Sequence, residues 1–300
     1  MNYSPFHRID KKFVVLRDDL YPFLGGGNKG RKMAYISKDI FQKKANALVT
    51  TGGIQSNHCR AVAVFAALNK MKCTLVLHGS ENDFLLQSGN AKIMRLSGAK
   101  LIFVQNPSDI GSVMDIQMEQ YSLYGYNPYY IWGGGHTMEG GLAYIESIKE
   151  LNNYCKSESW FPEFIFLASG TGSTQAGILA GLDKYKIEDT NIIGISVART
   201  SENAQNVVRN FYYNLCNHYN IGCTEKEVIV LDHYLSGGYG KFNEDIKRIS
   251  DESIKDYGFT LDTCYTAKAF YGMLDFIEKN NIQNKNILFW HTGGVFNFLA

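Results

Sequence analysis

Apolar runs of strand length alternate along this chain with segments of helical period, and that alternation restricts the fold more than any other feature. The runs "ALVTTGG", "CTLVLHG", "KLIFVQN" and "YYIWGGG" occupy the first half, and "FIFLASG", "NIIGISVA", "VIVLDHY" and "NILFWHTGG" the second. Between them, apolar residues recur at helical spacing, as in Ala61, Val64, Phe65 and Leu68, or Ala267, Phe270, Leu274 and Ile277. Strands that are apolar along their whole length must be covered on both faces, so the pattern predicts open, twisted, mostly parallel sheets wrapped by helices. No repeat, low-complexity tract or proline-rich linker interrupts it. The irregular stretches near Trp132–Gly141 and Leu151–Pro162 mark the expected crossings between lobes. Two α/β lobes with a cleft between them are expected: residues 1–45 with 139–300 as the larger domain, and 46–138 as the smaller.

Charge and cysteine usage narrow the partner. Thirty basic residues oppose twenty-nine acidic ones over 300 residues, a net charge of +1, and no long run of one sign occurs. A chain so balanced has no electrostatic footprint for nucleic acid or an anionic membrane, which points to a small-molecule partner. The segment "MNYSPFHRIDKKFVVLRDDLYP" has no apolar run behind a basic start, and no later stretch is apolar enough to span a bilayer, so a cytoplasmic protein is expected. Six cysteines, at 59, 73, 155, 216, 223 and 264, form no CxxC pair, so no metal site or disulfide framework is expected. They read as small buried hydrophobes.

In open α/β sheets, ligands bind beyond the carboxyl ends of the strands. Several loops there are rich in glycine and small polar residues: "TTGGIQSNHCR", "WGGGHTMEGG", "ASGTGSTQAG" and "HTGG". Their recurrence after strands points to one shared cleft. In "ASGTGSTQAG" the residues Gly170, Thr171, Gly172, Ser173 and Thr174 precede a helix, so backbone N–H groups and the helix dipole suit a phosphate there. The loop lacks the lysine of a Walker A motif and the spacing of a dinucleotide fingerprint, which counts against a nucleotide-dependent enzyme; a plain tight turn is the alternative. Ser56, Asn57 and His58 open a second helix. There Ser56 or Asn57 is a natural N-cap, and the same three residues also make an anion site sized for a carboxylate. A further stretch, "LGGGNKGRK", sets Lys29 at a helix start behind glycines. It is either a flexible loop with a solvated basic turn, or a lysine held for chemistry. A phosphate site, a carboxylate site and a lysine between them fit a phosphorylated aldehyde cofactor that is joined to lysine and receives an amino acid.

The blocks "GGNKGRK", "GGIQSNHCR", "IWGGGHTMEGGLAYIES", "SGTGSTQAG", "GGYG", "LDTCYTAKA" and "FWHTGG" occur in this order over almost the whole chain. Together they resemble the D-cysteine desulfhydrase and 1-aminocyclopropane-1-carboxylate deaminase family, fold-type II enzymes dependent on pyridoxal 5'-phosphate. The resemblance implies that the cofactor lies in the cleft and is joined to Lys29, which also serves as the base at the substrate's α-carbon. It implies that Asn57 touches the cofactor ring oxygen, that Ser56 with Asn57 and His58 receives the substrate carboxylate, and that residues 170–174 bind the phosphate. Tyr239 and Tyr265 match the family's active-site tyrosines, Thr292 lies at the cofactor edge, and a homodimer is implied. His291 reads as a satisfied strand-end residue.

The ring-opening deaminases carry a glutamate after the second tyrosine and a leucine before the last Gly-Gly, where this chain has Thr266 and Thr292. Without a carboxylate at the pyridine nitrogen the electron sink is weaker, which favours β-elimination, D-cysteine first, over ring opening. The chain also departs from the family at Gly30, at Ser173, after "TLVLHG" and in "GGVFNF", Gly293 to Phe298. The last of these leaves another amino-acid substrate as an alternative, and a protein that keeps Lys29 and binds the cofactor without turnover is a separate one.

Overall fold

The computed structural model describes residues 4–9 and 13–300. Residues 1–3 and 10–12 of the N-terminal stretch read above lie outside the described residues.

Two sheets organise the chain. The larger contains β1 (Phe6–Ile9), β2 (Phe13–Arg17), β7 (Phe164–Ser169), β8 (Asn191–Ser196), β9 (Ile229–Leu231) and β10 (Ile287–His291), in the order β1-β2-β10-β7-β8-β9. Only the β1–β2 pair is antiparallel; the other pairs in this sheet are parallel. The smaller sheet is wholly parallel, β5-β4-β3-β6, with β3 (Ala47–Gly53), β4 (Lys72–His78), β5 (Lys100–Val104) and β6 (Pro128–Ile131).

Period-two alternation sends each strand into two cores. Val14, Leu16, Ile165, Leu167, Leu288 and Trp290 pack on one face of the larger sheet. Phe13, Val15, Phe166, Ala168, Ile287 and Phe289 pack on the other. The smaller sheet divides likewise, with Leu48, Leu75 and Leu77 on one side and Val49, Val76 and Val104 on the other. Each large apolar side chain so buried contributes about 1.5–3 kcal/mol, which is why both faces must be covered by helices.

Some elements differ from the sequence reading. The antiparallel β1–β2 pair extends the larger sheet, and the helix Met138–Glu158 runs through most of the stretch 151–162 expected to be irregular. Leu151 and Cys155, four residues apart and buried, hold that helix's last turns to the core while the intervening polar residues face outward. Four of the six cysteines are buried, and Cys223 and Cys264 are partly exposed. Among the described residues no helix is long and apolar enough to cross a membrane.

A buried polar cluster fixes the helix Gly27–Gln42 to the larger sheet. Arg31 donates to Asp18 Oδ1 at 2.9 Å and to both oxygens of Glu150 at 2.8 and 2.9 Å. The second oxygen of Asp18 accepts from Tyr144 Oη at 2.6 Å and from Trp290 Nε1 at 2.9 Å. Burial pushes the Asp18 carboxyl up, but the Arg31 charge and these bonds hold it below its ordinary value. Arg31 lies two residues beyond Lys29, so this cluster also fixes where Lys29 can reach.

Candidate active site

A cavity of about 530 Å³ opens where the carboxyl ends of β3, β6, β7, β8 and β10 meet. Lys29, Ser56, Asn57, His58, Tyr239, Tyr265 and Thr292 line it, as do Gly170, Thr171, Gly172 and Thr174. Ser173 is the one residue of the expected set that stands behind the wall: it is fully buried, and its hydroxyl accepts a 2.7 Å hydrogen bond from Lys32 Nζ.

Lys29 occupies the first turn of its helix, whose entry requires Gly26. At φ 74° that residue lies against the Asp19 carbonyl, which an added Cβ would meet at 2.2 Å. From there Lys29 Nζ donates to Gly134 O at 3.1 Å. Burial draws its pKa down to about 8. Lys32, one turn on, reaches the same carbonyl at 3.2 Å and is held well below its ordinary pKa by burial and then by the charge of Lys29. Gly134 is itself in a left-handed turn (φ 74°), and a Cβ there would stand 2.7 Å from Thr171.

The loop from Gly170 to Thr174 opens the helix Ser173–Lys184. Asn28 Nδ2 donates to Thr174 Oγ1 at 3.3 Å, and the Arg199 guanidinium donates to the Gly170 carbonyl. In the other sheet Ser56 caps the helix Asn57–Leu68 by accepting from Cys59 N at 3.1 Å. The capping reading of Ser56 is therefore realised, and its hydroxyl hydrogen remains free to donate.

His58 has a defined tautomer. Thr50 Oγ1 donates to Ile131 O at 2.8 Å, so the same oxygen must accept from His58 Nε2, also at 2.8 Å. The proton is on Nε2 and Nδ1 is an open acceptor. Burial, followed by the charges of Lys29, Lys32 and Arg60, keeps the imidazole neutral.

Across the cavity the hydroxyls of Tyr239 and Tyr265 form a close hydrogen bond, their rings 5.8 Å apart and tilted by 73°. Burial holds the Tyr265 phenol well above its ordinary pKa, while the Tyr239 side chain is exposed at the cavity mouth. His291 is outside the cavity, bonded through Nε2 to Thr260 O at 2.7 Å, as a satisfied strand-end residue would be. Thr266 does not line the cavity either. Its hydroxyl donates to Asp262 Oδ1 at 2.7 Å and accepts from Asp262 N at 2.9 Å.

Sequence reasoning missed Lys32, Asn28, Thr51, Gln175 and Arg199. For Lys32 a signal existed, since residues three apart share a helix face and Lys29 was already singled out. Nothing local marked Thr51, Gln175 or Arg199.

The polar groups fit a phosphorylated pyridine aldehyde. Thr51 Oγ1, His58 Nδ1 and Gln175 Oε1, on residues that line the cavity, are buried without protein partners, the first able to donate and the other two to accept. Cationic and N–H groups gather at residues 170–174, and no aspartate or glutamate lines the wall. Comparison with known proteins agrees. The family model described as "Pyridoxal-phosphate dependent enzyme" matches residues 3–293. A D-cysteine desulfhydrase of Klebsiella pneumoniae subsp. pneumoniae is 30% identical over 290 residues, covering 95% of this chain and 88% of that one. The crystal structure of an ACC deaminase homologue superposes with a TM-score of 0.89 at 28% identity, over 98% of this chain and 90% of that one. A hydrogen sulfide-producing enzyme from Fusobacterium nucleatum, 15% identical with a TM-score of 0.64 over 97% and 93% of the two chains, shares the fold. The chain therefore belongs to the pyridoxal-phosphate-dependent enzymes of fold type II and takes pyridoxal phosphate as its cofactor.

Proposed function

We propose that this enzyme eliminates the β-substituent of a small amino acid, with D-cysteine the first choice: D-cysteine and water give pyruvate, ammonia and hydrogen sulfide. The observation that carries the reading is the position of Lys29. Its amine, with a pKa drawn down to about 8, lies in one cavity with the phosphate-type loop, the Ser56–Asn57 helix start and a hydrogen-bonded tyrosine pair.

Bound pyridoxal phosphate supplies an electron sink for the negative charge that develops at the substrate's α-carbon. The remaining work falls to the chain's own groups. Gly170, Thr171, Gly172 and Thr174 hold the phosphate, with Lys32 behind them through Ser173, Asn57 donates to the ring oxygen, and Thr292 borders the ring edge. Ser56 Oγ–H and the N–H groups opening its helix orient the substrate carboxylate, with His58 behind them. Lys29 joins the cofactor and, once released, takes the α-proton. Tyr239 and Tyr265 keep their protons at neutral pH, and because one hydroxyl of the pair donates to the other, one O–H is left to donate to the departing sulfur.

Ring opening of the cyclopropane acid is the second reading, favoured by the likeness to the ACC deaminase homologue. Against it, no carboxylate lines the cavity. The nearby Asp262 accepts from Cys264 N, Tyr265 N, Thr266 N and Thr266 Oγ1, so its oxygens are occupied within their own turn. The division into residues 46–138 and 1–45 with 139–300, a cytoplasmic location and a homodimer complete the proposal. The two sheets support the first, and the family resemblance alone supports the others. Release of pyruvate and sulfide from D-cysteine by the purified holoenzyme tests the main reading, and absence of both products overturns it.

A further inference from the structure

Behind Asn57, on the side away from the cavity, a chain of amides runs to the last residues of the protein. Arg60 Nε donates to Asn90 Oδ1 at 3.0 Å, and Asn90 is completely buried. Asn90 Nδ2 faces Asn57 Oδ1 at 2.9 Å, Asn297 Oδ1 at 3.0 Å and the Gln55 carbonyl at 3.3 Å. Asn297 Nδ2 returns to the same Gln55 carbonyl at 3.1 Å.

These contacts have only one consistent polarity. A guanidinium donates and never accepts, so Asn90 must turn its oxygen to Arg60. Its NH₂ group then faces Asn57 and Asn297, and both must answer with oxygen. With Oδ1 of Asn57 engaged from behind, Nδ2 is the end left for the cavity that Asn57 lines. Where an isolated asparagine could present either end of its amide, this one presents a donor.

The C-terminal segment is clamped at the same place. Ser88 Oγ donates to Leu299 O at 3.0 Å, the Arg60 guanidinium stacks 4.9 Å over the Phe296 ring, and Gly89 lies so close to Phe296 O that a Cβ would stand 2.1 Å from it. Asn297 and Phe296 belong to "GGVFNF", the block in which this chain departs from its family.

We infer that Arg60, Asn90 and Asn297 are positioning residues that set the Asn57 amide as a hydrogen-bond donor toward the cofactor ring oxygen, so that the docked C-terminal segment helps to tune the cofactor. The inference rests on the reading of Asn57 as a cofactor contact.

Asn90→Asp is the decisive variant, because it is isosteric, keeps the acceptor for Arg60 and removes the NH₂ that faces Asn57, Asn297 and the Gln55 carbonyl, its added charge lying against the Arg60 guanidinium. The Asn57 amide then turns its oxygen toward the ring, where a donor had favoured the ionised ring oxygen. The measurements are the dissociation constant for pyridoxal phosphate and the pH titration of the bound cofactor's visible absorbance, with Asn57→Ala as reference. Weaker binding, by about tenfold or more, and an upward move of the titration midpoint by about half a pH unit or more are expected in both variants. Asn297→Ala is expected to move both in the same direction by less. If Asn57→Ala moves the midpoint and Asn90→Asp does not, the relay is overturned while the Asn57 contact stands. If neither variant moves it, the Asn57 contact falls and the relay with it. Should Asn90→Asp fail to fold, Asn297→Ala decides, and an unshifted midpoint there overturns the inference.

Discussion

Lys29 and Lys32 aim their amines at one acceptor, the carbonyl oxygen of Gly134, from 3.1 and 3.2 Å. Burial holds both amines below their ordinary pKa, and the charge of Lys29 lowers that of Lys32 further. Their pairing makes stability depend on pH in a stated direction. Lys29 titrates near 8 in the folded chain and near 10.5 when unfolded, so between those values the unfolded state binds more protons. Stability of the cofactor-free protein therefore rises as pH goes from 8 to 10.5, and Lys32 adds to the slope with the same sign. Thermal melts at a series of pH values should show this rise, and Lys29→Met should flatten it. A slope unchanged in Lys29→Met would mean that the lysine is not desolvated.

Lys29→Ala is expected to reduce pyruvate formation by about 10³-fold or more, since both attachment and α-proton transfer are lost. Pyridoxal phosphate should still bind, weakly, through residues 170–174, and without the visible absorbance of the lysine-bound cofactor. Turnover close to that of the native enzyme would place the base on another residue.

Lys32→Met separates two quantities that usually move together. Removing a buried amine whose charged form is disfavoured should raise the melting temperature of the cofactor-free protein. Losing an amine near Ser173 that the cofactor phosphate would protonate should weaken cofactor binding by about 10- to 100-fold, or roughly 1.4–2.7 kcal/mol. Calorimetry and a cofactor titration on the same preparation check both signs. A fall in melting temperature together with unchanged affinity would assign Lys32 to packing alone.

What was legible in the sequence follows from how local each signal is. Strands such as Phe164–Ser169 are apolar on successive residues because both faces are covered, and glycine-rich loops after them mark the cavity. Ser56 could be read as a cap because capping acts over three residues. Asn90 and Asn297, by contrast, are 207 residues apart and meet only when the C-terminal segment docks, and nothing in either neighbourhood announces it. Thr266 shows the limit of reading by position. The motif puts it beside Tyr265, yet its hydroxyl is bonded to Asp262 within its own turn, and of the two threonines only Thr292 borders the cavity. The argument for elimination thus rests on Thr292 and on the lack of a lining carboxylate.

The tyrosine pair can be tested through the leaving group. If Tyr239 and Tyr265 protonate the departing sulfur, replacing either by Phe should lower turnover of D-cysteine by about 10²-fold. β-Chloro-D-alanine releases chloride, which needs no proton, so its turnover should fall far less in the same variants. Equal losses on both substrates would show that the pair positions Lys29 or the substrate instead of acting as an acid.

Reaction choice is the last and most discriminating prediction. Opening a cyclopropane ring breaks a carbon–carbon bond and demands strong stabilisation of the charge on the cofactor, which a protonated pyridine nitrogen provides. On the proposed reading that edge would meet the neutral Thr292 hydroxyl, while the Asp262 carboxyl, pushed up to about 6 by burial, does not line the cavity. Each pKa unit lost at the ring nitrogen corresponds to about 1.4 kcal/mol between its two protonation states. We therefore expect pyruvate and sulfide from D-cysteine, and negligible 2-oxobutyrate from 1-aminocyclopropane-1-carboxylate, when both are assayed in parallel with L-cysteine and D-serine. Faster turnover of the cyclopropane acid than of either cysteine would refute this account of Thr292. If no compound in the panel reacts while the cofactor is bound, the substrate is a different amino acid, selected by the wall that Trp132 and His78 add to the same cavity.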